Sequence, residues 1–162
     1  MKSNYKLSVF QGRHVPEGKR NIQVFPKKTW IKDLGLIKKN NFKFFHWVLD
    51  NNLSSNPLIT EKLKVKRILN KLDIKILGIC CDYFMFNAIL KNKKKSIQIL
   101  NKIALSCKFL KINYIEIPFF KDNIIKNKNE IIEICKFFNL IINKNNFKNI
   151  KFCIESNLNT KE

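Results

Sequence analysis

Tyr114-Ile115-Glu116-Ile117-Pro118 is the stretch on which the fold turns. Within residues 112–117 the side chains alternate with period two, so the segment reads as a strand with two unlike faces. Ile115 and Ile117 share one face, and Tyr114 and Glu116 the other. Pro118 ends the strand, because proline has no N–H to give to a central ladder. Residues 150–154 repeat the pattern and set Phe152 and Ile154 against Cys153 and Glu155. A parallel sheet covered by helices on both sides reads as almost continuously aliphatic. One aliphatic and one mixed face instead suit strands with helices on a single side.

Three more apolar runs precede these, at residues 5–10, 42–49 and 74–81. Between the runs lie stretches with helical spacing. In residues 28–40, Trp30, Leu34 and Ile37 recur at i, i+4 and i+7. Residues 60–72 carry Val65, Ile68, Leu69 and Leu72, with Thr60 as N-cap and Glu61 suited to the positive end of the helix dipole. Residues 93–110 place Ile97, Leu100, Ala104 and Cys107 on one side, and residues 127–143 place Ile131, Ile134, Cys135, Phe138 and Ile142 there. The order is strand, loop, helix, four times over, then a fifth strand. Such alternation predicts parallel strands joined by right-handed helical crossovers. Between an open doubly wound sheet and a closed barrel, the one-sided alternation favours the barrel. No G-x-G-x-x-G follows any strand, so a dinucleotide site has no support. The fold class predicted is α/β: a partial (β/α)8 barrel of about five parallel strands with four intervening helices, one domain over residues 1–162.

Composition bounds the rest. The 162 residues are 45% apolar and carry a net charge of +20, with Arg13, Arg20 and Arg67 the only arginines. Arginine is the residue of choice for bidentate phosphate and base contacts. The lysines accompany abundant Asn and Ile in every segment, so the charge reads as a compositional bias and nucleic acid is not the expected partner. Cys80, Cys81, Cys107, Cys135 and Cys153 form no C-x-x-C pair and sit in apolar runs, which predicts five buried, reduced thiols. No apolar run reaches the ~20 residues of a membrane helix, and the start lacks the apolar stretch of a secretory leader. The expected setting is cytoplasmic, with no membrane partner.

In parallel α/β folds chemistry gathers at the carboxyl ends of the strands. Those ends carry Gln11, Gly12 and Arg13, then His46 and Asp50, then Asp82 and Tyr83, then Glu116, then Glu155. A carboxylate inside an apolar strand is costly unless it is paired or bound to a metal. Plainer roles stand beside this reading: Glu116 and Glu155 paired with lysines at a wet rim, His46 hydrogen-bonded in the core, Asp82 capping the segment after it.

These residues, in this order, resemble the xylose-isomerase-like sugar phosphate isomerase/epimerase group of TIM barrels. The matching stretches begin with Leu7-Ser8-Val9-Phe10-Gln11-Gly12-Arg13, Ile22-Gln23-Val24-Phe25-Pro26 with Trp30, Trp47 to Asp50, and Asn56-Pro57-Leu58. Cys80-Cys81-Asp82-Tyr83-Phe84-Met85, Ile115-Glu116-Ile117-Pro118-Phe119 and Ile154-Glu155-Ser156-Asn157-Leu158 complete the set. The resemblance implies a sugar or sugar phosphate substrate and a divalent metal (Mn, Mg, Co or Zn). It also implies proton transfer next to a carbonyl, by isomerisation or epimerisation. Glu155 matches the first metal-binding and catalytic Glu, while Gln11, Arg13, His46, Asp82, Tyr83 and Glu116 fall on the substrate side. His46 departs from the pattern, since relatives carry Glu before the Trp. The remaining ligands of the group, an Asp, a His and a second Glu, come from later strands. A full barrel takes roughly 250 residues. The expectation is therefore an N-terminal portion cut after the fifth strand, inactive alone and not holding its metal tightly. A homodimer or a second half-barrel chain would complete it. The alternatives are a nucleic-acid-binding or apurinic-endonuclease-like protein of the same barrel superfamily, which the charge of +20 favours, and a non-enzymatic degenerate fragment.

Overall fold

In the computed structural model, residues 7–14, 24–144 and 147–156 are described. Five strands form in chain order: β1 (Ser8–Phe10), β2 (Phe44–Val48), β3 (Lys75–Cys80), β4 (Tyr114–Pro118) and β5 (Lys151–Glu155). Between them stand α1 (Trp30–Lys39), α2 (Pro57–Thr60), α3 (Lys62–Leu72), α4 (Tyr83–Phe86), α5 (Lys93–Leu110) and α6 (Lys128–Ile142). The long crossover helices α1, α3, α5 and α6 match the four periodic stretches of the sequence. The short α2 and α4 are additions, and residues 5 and 6 of the first expected strand lie outside the described residues.

The strands pair in the order β1-β2-β3-β4-β5, every neighbour parallel. Strictly sequential parallel pairing with crossovers of one hand puts every crossover helix on the same side of the sheet. The core bears this out. One apolar cluster joins Phe45, Trp47, Ile76, Ile79, Ile115 and Ile117 to Leu34 of α1, Val65 of α3, Leu100 and Ile103 of α5, and Phe138 of α6. The sheet is not doubly wound, because no switch in strand order sends helices to its other face. That other, open face takes the alternate residues. Register places Phe10 beside His46, His46 beside Gly78, Cys80 beside Glu116 and Glu116 beside Cys153. A shift in register after Phe45 inserts one extra residue, Leu77, into β3.

Asn56 organises the turn after β2. Its Oδ1 accepts from Leu58 N at 3.1 Å, capping α2, whose first residue is Pro57. The same oxygen accepts from Trp47 Nε1 at 2.9 Å, and Asn56 Nδ2 donates to Val48 O at 3.2 Å. Trp47 is thereby buried completely with its one polar group satisfied.

Several local expectations need correction. Thr60 does not cap α3; its hydroxyl donates back to Asn56 O at 3.2 Å, and Glu61 stands at the N-cap without a side-chain bond to the helix backbone. The buried stripe of α6 is Ile134, Phe137, Phe138 and Ile141, because Phe138 packs on Phe152 with ring centroids 5.1 Å apart. Cys135 therefore turns outward. Cys80, Cys81 and Cys107 are buried, but Cys135 and Cys153 are exposed. Among the described residues, no helix is long and apolar enough to cross a membrane.

Candidate functional site

The carboxyl ends of the five strands point the same way, so the residues that close them gather on one edge of the sheet. A cavity of about 270 Å³ opens on the uncovered face, lined by His46, Leu77, Gly78, Ile79, Tyr114, Glu116 and Cys153. Gly78 makes room for the histidine: a Cβ there would meet Tyr114 Cβ at 3.2 Å and His46 Nδ1 at 3.4 Å. On its other side the imidazole packs against Phe10, with ring centroids 4.9 Å apart. Its Nδ1 stands 3.8 Å from Glu116 Oε2, too long for a hydrogen bond, and has no such partner among the described residues.

The protonation of this pair follows from its surroundings. Burial holds the His46 pKa below its ordinary value. Burial also pushes Glu116 up to about 7, helped by the charge of Glu155, a hydrogen bond with it, and the charge of Asp82. Near neutral pH the pair is therefore a neutral imidazole beside a carboxyl poised to gain or lose a proton, not an ion pair. Among the described residues, no lysine forms an ion pair with Glu116. The wet-rim pairing weighed from sequence gives way to a carboxyl crowded by other carboxyls.

Asp82 follows β3 and is buried. Its Oδ1 accepts from Cys80 Sγ at 3.0 Å, while its Oδ2 has no hydrogen-bond partner among the described residues. Burial raises its pKa to about 6, opposed by the thiol bond and reinforced by the charges of Glu155 and Asp50. Its side chain makes no cap bond to α4, so the capping role does not hold. Gln11 is fully buried at the end of β1; its Oε1 lies 3.5 Å from Val48 N, and its Nε2 has no hydrogen-bond partner among the described residues. Glu155 closes β5 and is exposed, its backbone carbonyl accepting from Phe119 N at 2.7 Å.

Two of the sequence-derived residues stand apart. Arg13 is exposed in the loop after β1 and lines none of the cavities described. Tyr83 is buried and faces a second cavity of about 540 Å³, shared with Asn51, Asn87, Lys95 and Lys102. The structure thus brings Glu116, Asp82 and Glu155 within electrostatic reach of one another, sets His46 beside Glu116, and leaves Arg13 and Tyr83 outside that group. Cys80 and Gly78 were missed as participants. An apolar Cys-Cys pair and a strand glycine signal packing, not a thiol donor or a space for a ring.

Among the described residues, no group of three or more His, Cys, Asp or Glu side chains is arranged to hold a metal ion. The arrangement does supply a carboxyl that titrates near neutrality, a neutral imidazole and an orphaned buried carboxylate oxygen, the ingredients of general acid–base chemistry. No family model matches this chain, and no curated protein matches it significantly.

Proposed function

We propose that this chain is an arc of a (β/α)8 barrel of the sugar phosphate isomerase/epimerase type. Its open face binds a sugar or keto-sugar phosphate and handles the proton that moves next to the carbonyl. The observation that carries the reading is the group at the strand ends, where Glu116, with a pKa of about 7, lies 3.8 Å from His46. A carboxyl of that pKa takes and returns a proton near neutral pH, the optimum for a general acid–base group. The sequential sheet with helices on one side is the architecture in which such a face becomes a barrel interior. Asp82 and Gln11, buried with unsatisfied polar atoms, are the groups a polyol would satisfy. Full turnover draws on the further strands that close such a barrel.

Binding by the chain itself tests the reading. A panel of aldose and ketose phosphates is titrated into labelled protein while the side-chain NMR signals of His46, Glu116 and Asp82 are followed. Saturable shifts at those residues, lost in Glu116→Gln, are the expected result. A panel that leaves all three signals unmoved refutes it.

A further inference from the structure

Because every strand runs the same way, all the turns from helix to strand open on the side opposite the carboxyl ends. Carboxylates are sorted along that axis. Of the ten carboxylates on described residues, Asp73 alone stands in a helix-to-strand turn. The rest lie in strands, in strand-to-helix loops or in early helical turns. The opposite floor is lysine-rich. Lys38, Lys39, Lys71 and Lys108 occupy last helical turns, where the helix dipole accounts for them. Lys43, Lys75, Lys148 and Lys151 lie beyond the reach of that effect, and like charges crowded together oppose folding. Among the described residues, only Lys43 of these four has a carboxylate partner, Asp73 at 3.7 Å.

Aromatic side chains stand among these lysines. Phe109 is 36% exposed and Tyr114 38%. Lys66 lies 5.0 Å from the Phe109 ring and Lys151 5.7 Å from the Tyr114 ring. Two clefts of about 470 and 330 Å³ adjoin there, sharing Lys111 and Asn113, and run from the start of β3 to the turn before β5.

We propose that this floor binds single-stranded nucleic acid, with phosphates along the lysines and bases stacked on Phe109 and Tyr114. Lysines serve as point charges for a backbone without reading bases. Among the described residues, no helix projects from the floor to enter a major groove, which disfavours a duplex. Exposed aromatic rings interleaved with cations are the platform that unpaired bases stack on. The count of lysines could not show this, because only the fold draws the carboxylates away from the floor.

The test is fluorescence anisotropy with a labelled single-stranded oligonucleotide over a range of salt. Binding through about five phosphates gives a slope near −3.5 in log K against log salt. The triple variant Lys75→Glu/Lys148→Glu/Lys151→Glu should lose at least tenfold in affinity and flatten that slope. A control of equal net charge, Lys32→Glu/Lys62→Glu/Lys94→Glu, alters early helical turns and should lose far less. Phe109→Ala should weaken binding several-fold with the slope unchanged. Thermal melts confirm folding, and the floor variant should melt no lower than the parent because it relieves repulsion. Equal losses in both triple variants would overturn the proposal. So would an unaffected Phe109→Ala variant, or equal binding of polyglutamate or anionic vesicles, since each leaves only diffuse charge.

Discussion

Replacing Glu116 by Gln removes a carboxyl that folding holds in its neutral form, and the consequence is a stability change that depends on pH. The ordinary pKa is 4.5, and in the folded chain burial and the nearby Glu155 and Asp82 raise it to about 7. Below about pH 4.5 both folded and unfolded chains keep the proton, and the favourable contribution of Glu116 is fully present. Between about pH 4.5 and 7 the unfolded chain releases the proton while the folded chain retains it, so stability falls as pH rises. Above about pH 7 the folded chain must bury the charge, and the contribution is gone. At about 1.4 kcal/mol per pKa unit the full effect approaches ~3 kcal/mol. The side chain keeps 21% of its exposure, so screening brings the working figure to about 2 kcal/mol. Urea unfolding read by the fluorescence of buried Trp30 and Trp47 measures it. At about pH 8 the Glu116→Gln variant should be more stable than the parent by about 2 kcal/mol, and at about pH 4.5 the two should agree within about 0.5 kcal/mol. A difference of the same size at both pH values, or a variant less stable at the higher one, would refute the crowded-carboxyl account.

Asn56→Ala should cost about 3 kcal/mol in the same unfolding assay, because it strands the indole N–H of Trp47, the carbonyl of Val48 and the amide of Leu58. Gly12→Ala should lower stability by about 2 kcal/mol, seen as a fall of about 4–8 °C in Tm. Gly12 has φ of +86°, and a Cβ there would sit 2.5 Å from Val24 O, so the turn after β1 must shift to accept it.

The sequence by itself determined the elements and their order. Period-two and period-3.6 patterns are written in consecutive residues, which is why β4 and the face of α5 were legible from Tyr114-Ile115-Glu116-Ile117 and from Leu100, Ala104 and Cys107. It also determined which residues close the strands, since a parallel arrangement brings those ends together whatever the details. Tertiary structure decided the rest. Which stripe of α6 is buried depends on Phe138 meeting Phe152 from β5, a contact between distant parts of the chain. Whether Glu116 meets a lysine or another carboxyl depends on the register of β4 against β5, which sets it beside Cys153 and within reach of Glu155. Gly78 and His46 became partners only through a one-residue shift in the pairing of β2 with β3. Local pattern fixes what each segment is, because its physics lies in neighbouring residues. Protonation, pairing and the withdrawal of carboxylates from the lysine-rich floor arise between segments, and only packing brings those together.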